Sequence, residues 1–298
     1  MKVYTFGDAE KPAVLLLPGT CCHWESNFGQ IIPLLASDFR VLCVSYDGFD
    51  ETERAEFPTM LEETAKIEDW IRANCGGHIR AAYGCSLGGS FVGLLAARGN
   101  IRMDFGILGG SDLDQASPLA AKLQTKLLLP LIYPLIRGGE FKLRFLRRRM
   151  AQRLEQDPEY TGAFMRLFVS ARPYVSQRSC QSQFYSDLIT PLPDGIDVPG
   201  TEIHIFYALK MGEKYRARYQ QHFANPVIHE QDLQHEELLA SYPEQWAALV
   251  KQIAEGKDNE VQKLKKTQCR RRCSSPFTAG KCVPGCIPAS TGTKQQSS

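Results

Sequence analysis

The apolar positions of the first 110 residues fall into short runs separated by helix-length stretches. "AVLLLPG" (13 to 19) is an apolar run closed by Pro-Gly, and "FRVLCVSYDG" (39 to 48) is a second, with β-branched residues and a stop at Asp47-Gly48. Between them, "HWESNFGQIIPLLASD" spaces its apolar residues as a helix does. Thr59 followed by Glu62 is a capping-box signature, and the helix it predicts carries Ile67, Trp70 and Ile71 on one face before ending at Gly76. "HIRAAYG" reads as a third strand, "GSFVGLLAARGN" as a helix stopped by Gly99, and "MDFGILGG" as a fourth strand. This alternation predicts an α/β fold with a mostly parallel sheet covered by helices on both faces.

From Ser117-Pro118, an N-cap followed by proline at the first helical position, to about Pro199 the spacing is helical only. Strand and helix then alternate again: "TEIHIFYA" (201 to 208), "GEKYRARYQQHF", "PVIHEQ" and a closing helix "EELLASYPEQWAALVKQIAE". An insertion of this size between two late strands of one sheet predicts a helical cap, about residues 115–199, within a domain spanning residues 1–256.

Charge changes the picture at the C-terminal end. The chain has 298 residues and a formal net charge of +2, but the segment from Lys257 to the terminus holds nine Lys/Arg and two Asp/Glu. The first 256 residues are therefore acidic and the tail, 257–298, is basic and of disordered composition. Its Cys269, Cys273, Cys282 and Cys286 are spaced as two pairs that could hold zinc. Three arginines in the first gap and few apolar neighbours favour a basic tail without a metal. Such a tail would bind nucleic acid only nonspecifically. The ten-residue run "LLLPLIYPLI" (127 to 136) is interrupted by Pro130 and Pro134, short of the roughly 20 residues a transmembrane helix needs. The N-terminus lacks the apolar core of a signal peptide. These features predict a cytoplasmic protein with mostly free thiols.

The candidate chemistry lies in "AAYGCSLGGSF". Gly84-Cys85-Ser86-Leu87-Gly88 fits G-x-S-x-G at the point where a strand ends and a helix begins. A serine on such a turn adopts a strained backbone that lifts its hydroxyl above the sheet, and the residues two before and two after must be glycine for lack of space. No Lys-Ser/Thr pair follows the glycines, as a P-loop requires, and there is no G-x-G-x-x-G. Acyl transfer also needs donors for the oxyanion. The amide of Leu87, after the serine, is one, and Thr20 in the loop after "LLLPG" is the natural second. His235 in "DLQHEELL" lies just before the closing helix, where an imidazole can reach the serine.

With these features in this order, residues 1 to about 255 resemble the α/β-hydrolase family, in particular its capped serine hydrolases of esterase and lipase type. The resemblance implies a Ser-His-acid triad acting on a carboxylic ester, thioester or small amide through an acyl-enzyme, without cofactor or metal, on a small-molecule acyl substrate. Acyl transfer to an alcohol other than water would use the same residues. The acid has two candidate positions. Glu213 is the one carboxylate in "ALKMGEKY", after the penultimate strand, and is slightly preferred; Asp112 in "GGSDLDQ" follows the strand before the cap, with Asp114 behind it. If neither worked, the chain would be a ligand-binding member of the fold. His229 and Cys85 read as structural, His23 as an N-cap or pocket-mouth residue, and Cys21 and Cys22 as incidental thiols of the oxyanion loop.

One cap segment stands apart. In "FKLRFLRRRMAQRL" (141 to 154), Leu143, Leu146, Met150 and Leu154 recur at helical spacing, and six cations with no acid occupy 142 to 153. A solvated face over a buried stripe is the commoner arrangement; weak contact with an anionic surface is the functional alternative.

Overall fold

The computed structural model describes residues 1–168 and 172–257. Met1–Ala254 forms one compact unit, and Cys269, Cys273, Cys282 and Cys286 of the tail lie outside the described residues.

Seven strands form one sheet: β1 (Lys2–Phe6), β2 (Ala13–Leu17), β3 (Arg40–Ser45), β4 (His78–Gly84), β5 (Arg102–Leu108), β6 (Glu202–Ala208) and β7 (Val227–Gln231), in the order β1-β3-β2-β4-β5-β6-β7. All neighbours are parallel except β1, which pairs antiparallel with β3 from Lys2↔Ser45 to Phe6↔Val41. The sequence pattern did not reveal β1. "KVYTF" has no apolar run, and it forms an edge strand whose residues are only half-buried, so burial leaves no period to read.

The interior strands show why the other runs are continuous. In β2, Leu15 and Leu17 enter one core while Val14 and Leu16 enter the other, and all four are fully buried. A strand covered on both faces has no polar side to alternate with. On one face pack α3 (Met60–Cys75), α4 (Leu87–Arg98) and α9 (Glu213–His222); on the other pack α1 (Trp24–Phe28), α2 (Ile32–Leu35), α10 (Glu237–Ser241) and α11 (Pro243–Ala254). Thr59 caps α3 by accepting from the Glu62 N–H at 3.2 Å, and Gly76 ends it at φ 60°. Two stretches expected as single helices are broken. Pro33 sits in the first turn of α2, separating it from α1, and Tyr242, which precedes Pro243, leaves the helical region at φ −129°, ψ 57°.

Among the described residues four helices lie between β5 and β6 in the chain: α5 (Pro118–Gly138), α6 (Arg144–Gln156), α7 (Pro158–Phe168) and α8 (Gln177–Ile189). Ser117 caps α5 with Pro118 at its start, as expected. The prolines do not stop it. α5 runs through Pro130 and Pro134 for 21 residues and is long and apolar enough to cross a membrane by length and composition. The missing proline N–H groups release the carbonyls of Lys126 and Pro130, both exposed residues, and solvent can satisfy those carbonyls. The stripe expected to be buried on α6 is only half covered: no α6 residue is buried, and flanking Leu143 and its own Leu154 are 41% and 45% exposed.

Candidate active site

Ser86 stands between β4 and α4 with φ 49° and ψ −113°, a conformation an L-residue adopts only when its surroundings enforce it. Those surroundings are built from glycine. A Cβ on Gly84 would run into the backbone of Gly88 and Gly89, one on Gly88 into the Leu17 carbonyl, and one on Gly89 into the Ser111 hydroxyl. Ser111 Oγ also donates to the Ser86 carbonyl at 2.5 Å. Cys85 is buried in the core on the far side of the turn, as expected.

A residue that the sequence pattern passed over fixes this turn. Glu236 is 6% exposed, has φ 55°, and its carboxylate accepts the Ser86 N–H at 2.7 Å, the Gly110 N–H at 2.7 Å and the Tyr83 hydroxyl at 2.9 Å. It therefore ties the serine turn to the loop after β5 and does so from the position next to His235. In the sequence it reads as an ordinary acid at the start of a helix, and nothing local marks its partners 150 and 126 residues away.

His235 lies in the loop between β7 and α10. Its Nδ1 is so near Gly110 that a Cβ there would be 2.6 Å away, and the ring of Phe164 on α7 meets it edge-on with centroids 6.0 Å apart. Tyr160 of the same helix donates to the His235 carbonyl at 3.0 Å. Asp112 lies in the loop after β5, and the charge of His235 is one of the lesser influences on it. Burial pushes its carboxyl upward and Asp114 adds to this, while a backbone hydrogen bond from Asp114, then His235 and Arg218, pull it down. Arg218 donates to the Asp112 carbonyl at 2.8 Å and pairs with Asp114. Glu213 stands elsewhere: it is the exposed first residue of α9, and the phenol it acts on is Tyr207.

In the loop after β2, Gly19 N–H donates to Asn27 Oδ1 at 2.8 Å, Cys21 N–H to Gln183 Oε1 at 2.6 Å and Cys22 N–H to the Gly19 carbonyl at 3.1 Å. The amides on both sides of Thr20 are thus engaged within the protein. The Leu87 amide opens α4, where a helical N–H has no intrahelical acceptor. His23 is buried and caps α1, its Nδ1 accepting from the Glu25 N–H at 3.3 Å, and burial lowers its affinity for a proton. His229 pairs with His204 at 2.9 Å, away from the serine. Cys21 and Cys22 are buried thiols. Among the described residues no group of three or more His, Cys, Asp or Glu side chains could hold a metal ion.

A small pocket adjoins the loop after β5, with Ser90, Leu113, Asp114, Asp187 and Leu192 in its lining. Burial, aided by the charges of Asp112 and Asp114 and opposed by a hydrogen bond to Ser90, pushes the Asp187 carboxyl up to about 8. Its folded value exceeds its unfolded one, so the native state holds the extra proton and stability declines as pH rises from about 4 toward 8. Asp187→Asn is expected to raise Tm by about 3–6 °C near pH 8.5, with the gain shrinking toward pH 4, in calorimetric scans across that range.

The comparisons agree with this architecture. The Alpha/beta hydrolase family profile matches residues 14–255, and the chain belongs to that family. A protein from Desulfitobacterium hafniense assigned to the same family superimposes with a TM-score of 0.67 at 19% identity, covering 85% of this chain and 99% of that one. A hydrolase from Pseudomonas aeruginosa gives 0.62 at 16% identity, with 85% and 93% covered. A thermophilic esterase from Thermogutta terrifontis gives 0.62 at 19%, with 86% and 93% covered. At these identities the likeness is one of fold. No curated protein matches the sequence closely enough to count as a relative.

Proposed function

We propose that this hydrolase-family chain is a serine hydrolase that cleaves a carboxylic ester, thioester or small amide of a small acyl substrate. The observation that carries the reading is the enforced positive φ of Ser86 at the head of α4. Strain of this kind persists only where the surrounding structure is built to hold it. Ser86 Oγ attacks the acyl carbonyl while His235 takes its proton, then returns it to the leaving group. The backbone amides of Thr20 and Leu87 receive the oxyanion, and water activated by the same imidazole releases the acyl group.

Asp112 is the acid in this scheme. Its charge communicates with His235, whereas Glu213 sits exposed on another element. A carboxylate here holds the imidazole in one tautomer and stabilises the imidazolium that forms after attack. Among the described residues no hydrogen bond joins the His235 ring to Asp112 or Ser86, and the ligand-binding alternative, raised by the loop after β6 in which Glu213 is the one carboxylate, is separated from the enzyme by the labelling experiment.

A fluorophosphonate probe tests the proposal by forming a bond only to an activated serine. Purified full-length protein is expected to gain one probe mass on the peptide containing Ser86, and Ser86→Ala and His235→Ala to gain none. Folded wild-type protein that stays unlabelled by both a small and a long-chain probe would overturn it.

A further inference from the structure

We infer that the cap docks on an anionic lipid bilayer through the outer face of α5, with the arginines of α6 adding attraction. Among the described residues, eleven large apolar side chains are markedly exposed, and seven of them lie between Leu119 and Leu154. The exposure has a pattern. Leu119, Leu123 and Leu127 are 83%, 58% and 62% exposed, and a spacing of four residues puts them on one helical face. Ala121, Thr125 and Leu129 are buried on the opposite side. Lys122 and Lys126, both exposed, fall beside the leucines by the same geometry, leaving ammonium groups on flexible stems at the edge of an apolar ridge.

The charge of this region identifies the occupant. Between 118 and 154 there are nine Lys/Arg and one acid, Glu140, in a body that is otherwise acidic. A second copy of the chain is a poor partner, because a two-fold interface sets the same cationic patch against itself. A bilayer carrying anionic headgroups offers what the face lacks: negative charge for the lysines and arginines, and acyl chains for leucines that water now surrounds. α5 would lie along the surface rather than across it, since one of its faces is occupied by packing within the protein. α6 supports the same reading, with Phe145 61% exposed among its arginines and no residue buried.

The test is co-sedimentation of the full-length chain with phosphatidylcholine vesicles, with and without phosphatidylserine. Wild-type protein is expected to bind the phosphatidylserine vesicles and to be released by salt. Leu119→Asp, Leu123→Asp and Leu127→Asp together are expected to lower the partition at least about tenfold, with an unchanged circular-dichroism melt. The milder pair Leu123→Ser and Leu127→Ser guards against misfolding and is expected to lower it by a smaller factor. Equal binding by wild type and the triple variant would overturn the proposal and assign adsorption to the basic tail. So would the absence of vesicle binding, or a wild-type dimer that the triple variant abolishes. The readout does not depend on catalysis, so it stands or falls separately from the hydrolase reading.

Discussion

Asp112→Asn is expected to lower turnover of a short-chain ester about 10⁴-fold, while Glu213→Gln changes it less than about threefold. The amide retains the shape of the carboxyl but can neither select the productive imidazole tautomer nor neutralise the imidazolium. Steady-state kinetics of the two variants side by side make the comparison, with the loss expected in kcat rather than KM because the missing interaction belongs to the transition state. The reverse result would return the acid to α9 and require Glu213 to move inward from its exposed position. Asp112 is itself partly buried near two other carboxyls, so the variant should fold. Removing one of three crowded acids relieves repulsion.

Glu236→Leu is expected to cost about 3–5 kcal/mol of folding stability and at least about 10²-fold in kcat. Three donors converge on this carboxylate: two backbone N–H groups and one buried phenol. An apolar replacement leaves all three without their present acceptor in a largely buried site, at roughly 1–3 kcal/mol each before relaxation. Glu236→Gln keeps one acceptor oxygen but points an NH₂ group at a donor, and should fall between the two. Denaturant unfolding measures the first quantity. Steady-state turnover of a short-chain ester measures the second, since a relaxed Ser86 turn slows attack even in molecules that remain folded. A kcat loss that tracks the unfolded fraction alone would reduce Glu236 to a packing residue.

The elbow was legible because its constraints are local. Gly84, Gly88 and Gly89 are each forced by a backbone or side chain approaching in that turn, and a forced glycine at fixed offsets is visible in one line of sequence. The parallel strands were legible because burial on both faces leaves apolar runs. β1 was not, since an edge strand of five half-exposed residues carries no such run. α5 was misjudged at its prolines, because whether a released carbonyl finds solvent depends on which side of the helix faces out. The choice between Asp112 and Glu213 could not be made from spacing, since both follow a strand end; the difference in their surroundings, Glu213 exposed on α9 and Asp112 two residues after the Gly110 that His235 packs against, is tertiary. Glu236 was invisible for a related reason, its role being defined by partners far off in the chain.

The 150 residues between Ser86 and the carboxylate that receives its amide also set an order of assembly. As the chain leaves the ribosome, β4 and α4 emerge with the nucleophile turn long before Glu236 is synthesised. Without that acceptor the turn lacks one of the contacts that hold Ser86 at its positive φ. His235 and Glu236 arrive together, so the base proposed above is the chain neighbour of the residue that ties down the Ser86 turn. The contact between Glu236 and the Ser86 amide can therefore form only after the intervening helices and strands β6 and β7 have been synthesised.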